Sequence, residues 1–151
     1  MPQNRVTLRE VAECDGEELA TLRVHAMRES LELIGRFDAH RARERFLSGF
    51  SPLDTRHILE GERRVGFVVV RNVRPELLLD HLYIHPKHQG KGIGSAVLAA
   101  VFAQADSLSK SIRVGALKES RSNEFYTRHG FVATEQSEWD NYYVRHPSSD
   151  A

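Results

Sequence analysis

The segment Leu82-Tyr83-Ile84-His85-Pro86-Lys87-His88-Gln89-Gly90-Lys91-Gly92-Ile93-Gly94-Ser95 is the most informative part of the chain. It opens as a strand pattern closed by a proline and continues as three glycines at alternate positions. A helical apolar period follows at once, with Ile93, Val97, Val101 and Leu108 on one side and Leu98, Phe102 and Ala105 beside them. Glycines between a strand and a helix let the backbone come close to a ligand. The helix start offers N–H groups without intrahelical partners and the positive end of a dipole, so the segment reads as a cradle for a phosphate or pyrophosphate. Spacing excludes two common cradles. The dinucleotide pattern G-x-G-x-x-G fails because the sixth position is Ser95 counted from Gly90 and Val97 counted from Gly92. A Walker A loop fails because Gly90-Lys91 is followed by Gly92 and no glycine stands five residues before Gly90.

Outward from this loop the periods alternate. Val6 to Arg9 reads as a first strand. A helix is expected from about Asp15, with Ala20, Val24, Met27, Leu31 and Ile34 as its apolar stripe and Gly35 as its stop. Phe37 to Phe50 reads as a second helix with Ala42, Phe46 and Phe50 four apart, broken by Ser51-Pro52. His57 to Glu60 and Arg64 to Asn72 form a hairpin pattern around Gly61-Glu62. The second arm is apolar on both parities, which predicts a central strand. Leu77 to His85 is a further strand after Arg74-Pro75. Beyond the loop helix come a strand at Ser111 to Leu117, a short helix at Ser120 to His129 with Gly130 as its cap, and strands at Phe131 to Gln136 and Trp139 to Arg145. The predicted order is β-α-α-β-β-β-α-β-α-β-β, a mixed α/β fold.

The composition bounds the function. The 151 residues fit one domain, with about 3–146 ordered and 147–151 as a tail. Lys and Arg number 21 and Asp and Glu number 21, so the net charge is zero, against a protein that coats nucleic acid. The balance hides an asymmetry: from His81 to Ala105 there is no acidic residue, while Lys87, Lys91 and three histidines lie in that window. This favours a small anionic ligand held at one place. Cys14 is the single cysteine, which excludes an internal disulfide and a cysteine-rich metal site and suits a reducing compartment. The histidines show no metal spacing, so no metal is expected. No signal peptide or membrane span is apparent, and the expected location is cytoplasmic.

Leu82-Tyr83-Ile84-His85-Pro86 followed by Gln89-Gly90-Lys91-Gly92-Ile93-Gly94 resembles the acetyl-CoA-binding motif of the GNAT (GCN5-related) N-acetyltransferases. Downstream, Asn123-Glu124-Phe125-Tyr126-Thr127-Arg128-His129-Gly130-Phe131 is similar to the family's Phe-Tyr-x-x-x-Gly-Phe signature. The resemblance covers most of the chain, is strongest from Gly66 to Phe131 and is weak over the first two helices. It implies the GNAT fold: a central, mostly antiparallel sheet splayed around the acetyl-CoA site, with helices on both faces. It also implies transfer of acetyl from acetyl-CoA to a primary amine, a small molecule or a peptide, by direct attack in a ternary complex. The alternative is a non-catalytic acyl-CoA sensor on the same fold.

Carried over residue by residue, the backbone of Gln89, Gly90, Lys91, Gly92, Ile93, Gly94 and Ser95 would hold the pyrophosphate. The backbone of Leu82, Tyr83 and Ile84 would pair with the pantetheine arm. Tyr126 matches the tyrosine that acts as general acid toward the leaving thiolate. Many relatives carry an asparagine seven residues before that tyrosine. Here Glu119 stands there, and Asn123 is either a substitute contact to pantetheine or a local helix cap. The general base is Asp80, His81 or a water. An imidazole has the better intrinsic pKa, ~6.5 against ~3.9 for an aspartyl carboxyl. His25, Arg28, Glu29 and Glu32 on the first helix are acceptor-side candidates, or else a solvated face. Trp139, Tyr142 and Tyr143 on the closing strands offer aromatic surface for a homodimer. No nucleic-acid or membrane partner is expected.

Overall fold

The computed structural model describes residues 5–33 and 35–148. Its elements are β1 (Val6–Glu10), α1 (Gly16–Leu33), α2 (Ala39–Ser48), β2 (Thr55–Glu60), β3 (Arg63–Val73), β4 (Glu76–Ile84), α3 (Ile93–Ser107), β5 (Ile112–Leu117), α4 (Ser122–Arg128), β6 (Val132–Gln136) and β7 (Asp140–Arg145). Short 3₁₀ turns lie at Glu13–Asp15, Pro52–Asp54 and Pro86–His88. The order of helices and strands is the one the periodicity predicts. The seven strands run β1-β2-β3-β4-β5-β7-β6 across the sheet. Pairing is antiparallel at β1–β2, β2–β3, β5–β7 and β6–β7, and parallel at β4–β5. The chain divides into two compact units, one of residues up to Val69 with His81–Val97, the other of Val70–Asp80 with Leu98 onward.

In the first unit, Phe67 and Val69 of β3 pack with Leu19 and Ala20 of α1, Phe46 of α2 and Val11. The Phe46 and Phe67 rings meet edge-on at 5.2 Å between centroids. Asp38 caps α2 by accepting from the Arg41 N–H at 3.0 Å, so this helix starts after Phe37 and stops before Phe50. The stripe expected on α1 needs correction. The buried positions are Gly16, Leu19, Ala20 and Arg23, whereas Val24, Met27 and Leu31 are half-buried and Ile34 lies outside the described residues. The inner face is rotated toward Arg23 because its guanidinium Nη1 donates to the Ala42 carbonyl of α2. Asp15 accepts from the Ala12 N–H and pairs with Nε2 of buried His57, both at 2.9 Å, tying the entry of α1 to β2. That backbone N–H, first, and His57, second, hold the Asp15 carboxyl below its ordinary range.

The β2–β3 register shifts between Ile58 and Leu59, which pair with Gly66 and Arg64. Val65 is therefore the extra residue of a bulge. Its carbonyl accepts from the His85 N–H at 2.7 Å, just past the end of β4. Gly66 sits where a Cβ would overlap the Tyr83 carbonyl oxygen, so only glycine lets these backbones approach so closely.

In the second unit, β4 begins parallel to β5 with Leu77, Leu78 and Leu79 opposite Ile112, Arg113 and Val114. Among the described residues this ladder spans those three pairs, and β4 continues to Ile84 beyond it. β5 itself continues to Leu117, paired with β7. Ile112, Val114 and Ala116 are buried and alternate with exposed Arg113 and Gly115, as one covered face requires. Phe131 packs against Phe102 at 5.8 Å and Tyr126 at 5.3 Å. Leu108, expected on the inner side of α3, is 49% exposed because α3 ends at Ser107 and Ser109 turns to φ 55°. Arg145 grips both carboxylate oxygens of Asp106 at 2.8 and 3.2 Å and lies 4.0 Å over the Phe102 ring. The Ser148 N–H bonds Asp106 as well, so the chain is held to that point, and the rest of the expected tail lies outside the described residues. Of the three closing-strand aromatics, Tyr143 is buried and Tyr142 lies beside Gly115, which leaves Trp139 exposed.

Candidate functional site

His85 turns the chain by accepting the Lys87 N–H on Nδ1 at 3.2 Å, and Gln89 locks the glycine loop to the strand by donating Nε2–H to the Ile84 carbonyl at 2.8 Å. Gly90 and Gly92 have φ of +79° and +82°, and a Cβ at either would meet nothing within 4 Å. The protein therefore leaves room on the side to which these glycines turn, and the backbone conformation itself selects glycine. Gly94 differs from the expectation of three equivalent glycines: it lies inside the first turn of α3. The first helical bond of α3 runs from the Ala96 N–H to the Gly92 carbonyl at 3.1 Å, and the first turn carries no acidic residue. Burial, then the neighbouring His88, His25 and Lys87, push the His85 imidazole below its ordinary pKa, so it stays neutral beside the loop.

The two base candidates lie in different surroundings. His81 is half-buried in a ring cluster with Phe46 at 5.6 Å, Phe67 at 6.3 Å and Tyr83 at 5.6 Å. The Tyr83 hydroxyl reaches Met27 Sδ of α1 at 3.1 Å, so His81 and Tyr83 both face the α1–α2 side. Asp80, of opposite parity on β4, accepts a hydrogen bond from Arg71 Nε of β3 at 2.7 Å. A base role for Asp80 requires release from that guanidinium. Leu82 and Ile84 share the parity of Asp80, and Ile84 approaches Gly66.

In the second unit Tyr126 is buried among Phe125, Phe131 and Tyr143. Asn123 is committed within the protein. Its Nδ2 donates to the Leu117 and Ser120 carbonyls, both at 2.9 Å, and its Oδ1 accepts from Tyr143 Oη at 2.6 Å and Asn141 Nδ2 at 3.0 Å. With both hydrogens and both lone pairs used, this amide joins α4 to β5 and β7; it is not the expected helix cap, since the cap position of α4 is Arg121 and carries no side-chain capping bond. Glu119 stands at φ +74°, a left-handed conformation that asparagine adopts far more readily than glutamate. On α1, Arg28 pairs with Glu32 at 3.0 Å with both side chains more than half exposed, the pattern of a solvated helix face. Glu29 is exposed on the same helix. The His25 ring lies 6.2 Å from that of His85 between centroids, tilted by 40°.

Sequence reasoning passed over Arg23, buried at 7% exposure beside Tyr83, and the Arg71–Asp80 pair. The four-residue spacing of Leu19 and Arg23 was a signal for the first; nothing local marks the second. Among the described residues no group of three or more His, Cys, Asp or Glu side chains is arranged to hold a metal ion, and no helix is long and apolar enough to cross a membrane.

The pattern of the Acetyltransferase (GNAT) domain matches residues 54–133, from β2 through the loop to the start of β6. A search of curated proteins returns no match. Among solved structures, the chain is similar to the PaiA N-acetyltransferase of Thermoplasma acidophilum in complex with coenzyme A (15% identity, TM-score 0.74, covering 93% of this chain and 98% of that one). It is also similar to an acetyltransferase of Thermus thermophilus (19%, 0.74, 93% and 96%). A GCN5-related N-acetyltransferase of Rhodopseudomonas palustris aligns likewise (22%, 0.74, 97% and 98%). The chain belongs to the GNAT acetyltransferase family.

Proposed function

We propose that the protein transfers an acetyl group from acetyl-CoA to a primary amine by direct attack in a ternary complex. The carrying observation is the loop: Gly90 and Gly92 at positive φ, open space where their side chains would be, and a following helix whose first turn carries no acidic residue. These features suit a pyrophosphate held by the backbone from Gln89 to Ser95. The PaiA relative was solved with coenzyme A. The β4 backbone at Leu82, Tyr83 and Ile84 would pair with the pantetheine arm.

In this reading the thioester supplies an activated acetyl carbon. The amine nitrogen forms a bond to that carbon, the carbon–sulfur bond breaks, and the thiolate leaves. His81, Asp80 or a water takes the proton the amine sheds. Tyr126 donates toward the thiolate. A phenol near pKa ~10 and a thiol near ~8.5 make full transfer uphill by about 2 kcal/mol, so Tyr126 assists an able leaving group. A cytoplasmic setting fits the lone exposed Cys14.

The test is a panel of amines with acetyl-CoA, following release of the CoA thiol, beside calorimetry with acetyl-CoA, CoA and NAD. Turnover with at least one amine and binding of CoA species are expected, and Tyr126→Phe should lower kcat without abolishing it. Binding of NAD but not CoA refutes the reading. CoA binding with no turnover on any amine would make the protein an acyl-CoA sensor.

A further inference from the structure

Arg23 is a buried cation that the described residues do not neutralise. It is 7% exposed, and its Nη1 donates to the Ala42 carbonyl of α2. Its Nε is buried without a hydrogen-bond partner. The ion-paired acids of the same unit are engaged elsewhere: Asp15 by His57, Glu17 by Arg43, Glu18 by Arg64, Glu32 by Arg28 and Glu60 by His88. A guanidinium largely withdrawn from water and left without a counter-charge is destabilising, and a fold usually retains one where something else supplies the anion. One carbonyl uses a single donor of the five the group carries.

The position of Arg23 indicates what that anion belongs to. Its Cζ lies 6.0 Å from the Tyr83 ring centroid, and Tyr83 lies on the β4 segment assigned above to the pantetheine arm. On the same face of β4, His81, a base candidate, stands 5.6 Å from that ring. Arg23 and His81 therefore flank one aromatic ring within one unit.

We infer that the acceptor amine carries a carboxylate, and that Arg23 receives it. This rests on the transfer reading above and narrows its substrate class to amino acids or other amino-carboxylates. A planar guanidinium matches a carboxylate through two parallel N–H···O bonds, which fixes the orientation of the amine as well as its affinity.

The test compares three probes: α-amino acids, their carboxamides, and glutamic acid α-amide, whose only carboxylate is on the side chain. Each is assayed for kcat/KM with acetyl-CoA and, by calorimetry, for binding to the CoA-saturated protein. Probes with a carboxylate should be preferred over the plain carboxamides by about tenfold or more, the scale of one charged hydrogen bond. The α-amide arm tells which carboxylate is read. In Arg23→Met the acid-over-carboxamide ratio should collapse to within about twofold, chiefly through KM of the acid, and this ratio rather than the absolute rate is the readout. Arg23→Lys, which keeps the charge, should retain part of it. A purely structural Arg23 would lower every rate together and leave the ratio intact, which overturns the inference. So does a wild-type protein with equal rates and affinities for acids and amides, whatever becomes of the variants. If the acids bind selectively but no probe is acetylated, the carboxylate site stands and the transfer reading falls.

Discussion

Gly66→Ala should be among the most damaging single-methyl additions in this protein. The new Cβ would overlap the Tyr83 carbonyl oxygen and lie 3.2 Å from both Cα and Cδ1 of Ile84. Two of these three atoms are backbone, so no rotamer change relieves the contact, and β3 and β4 must move apart locally. Overpacking of this kind costs about 1–3 kcal/mol. The neighbouring bond from the His85 N–H to the Val65 carbonyl, now 2.7 Å, would stretch with it, and a lost hydrogen bond adds about 1 kcal/mol. The sum is about 3 kcal/mol, a large share of the ~5–15 kcal/mol available to a domain. It corresponds to a fall in Tm of about 6–12 °C for a chain of this size. Urea unfolding followed by far-UV circular dichroism measures it, with Gly115→Ala as control. There the added Cβ meets ring atoms of Tyr142 at 3.1 and 3.2 Å, and a ring can turn aside, so the loss should stay below about 1 kcal/mol. Gly66→Ala within about 0.5 kcal/mol of the parent, or Gly115→Ala the worse of the two, would refute the close approach as the reason for glycine.

Two further outcomes follow from the second unit. Glu119→Asn should stabilise by about 0.5–1 kcal/mol, seen as a raised urea midpoint at unchanged slope, because asparagine tolerates the left-handed φ of +74°. Asp106 is held below its ordinary carboxyl pKa, first by the hydrogen bond from Arg145, then by the Ser148 N–H. A folded-state pKa below the unfolded one means stability present at neutral pH and lost as pH falls below the ordinary value of 3.8 toward the lower folded one. Asp106→Asn should therefore lower Tm at pH 7 and flatten its fall as pH drops below the ordinary carboxyl value of 3.8, read by scanning calorimetry from neutral into acid.

The order of helices and strands was legible because each element announces itself locally. A period of two or of 3.6, a proline or a glycine at the boundary, and a cap residue need no partner far along the chain. The backbone of the glycine loop was legible for the same reason. Glycine after a strand and before a helix is a statement about backbone torsion, and the φ values at Gly90 and Gly92 are the direct expression of it.

What each polar side chain does is a different kind of information. Asp80 reads as an available base until Arg71, nine residues away, is folded beside it. Asn123 reads as a cofactor contact or a helix cap until Leu117, Asn141 and Tyr143 take up its hydrogen bonds. His57 and Asp15 are 42 residues apart, and Asp106 and Arg145 are 39 apart. Arg23 interrupts an apolar helix face, and local pattern reads such a residue as a shift of the stripe; only the packing of α1 on α2 makes it a buried cation beside Tyr83. Periodicity is carried by neighbours in sequence, so the chain alone sufficed for the elements and the loop. Neutralisation of charge depends on neighbours in space, and it took the folded arrangement to separate the carboxylates already paired from a buried guanidinium still awaiting a counter-charge among the described residues.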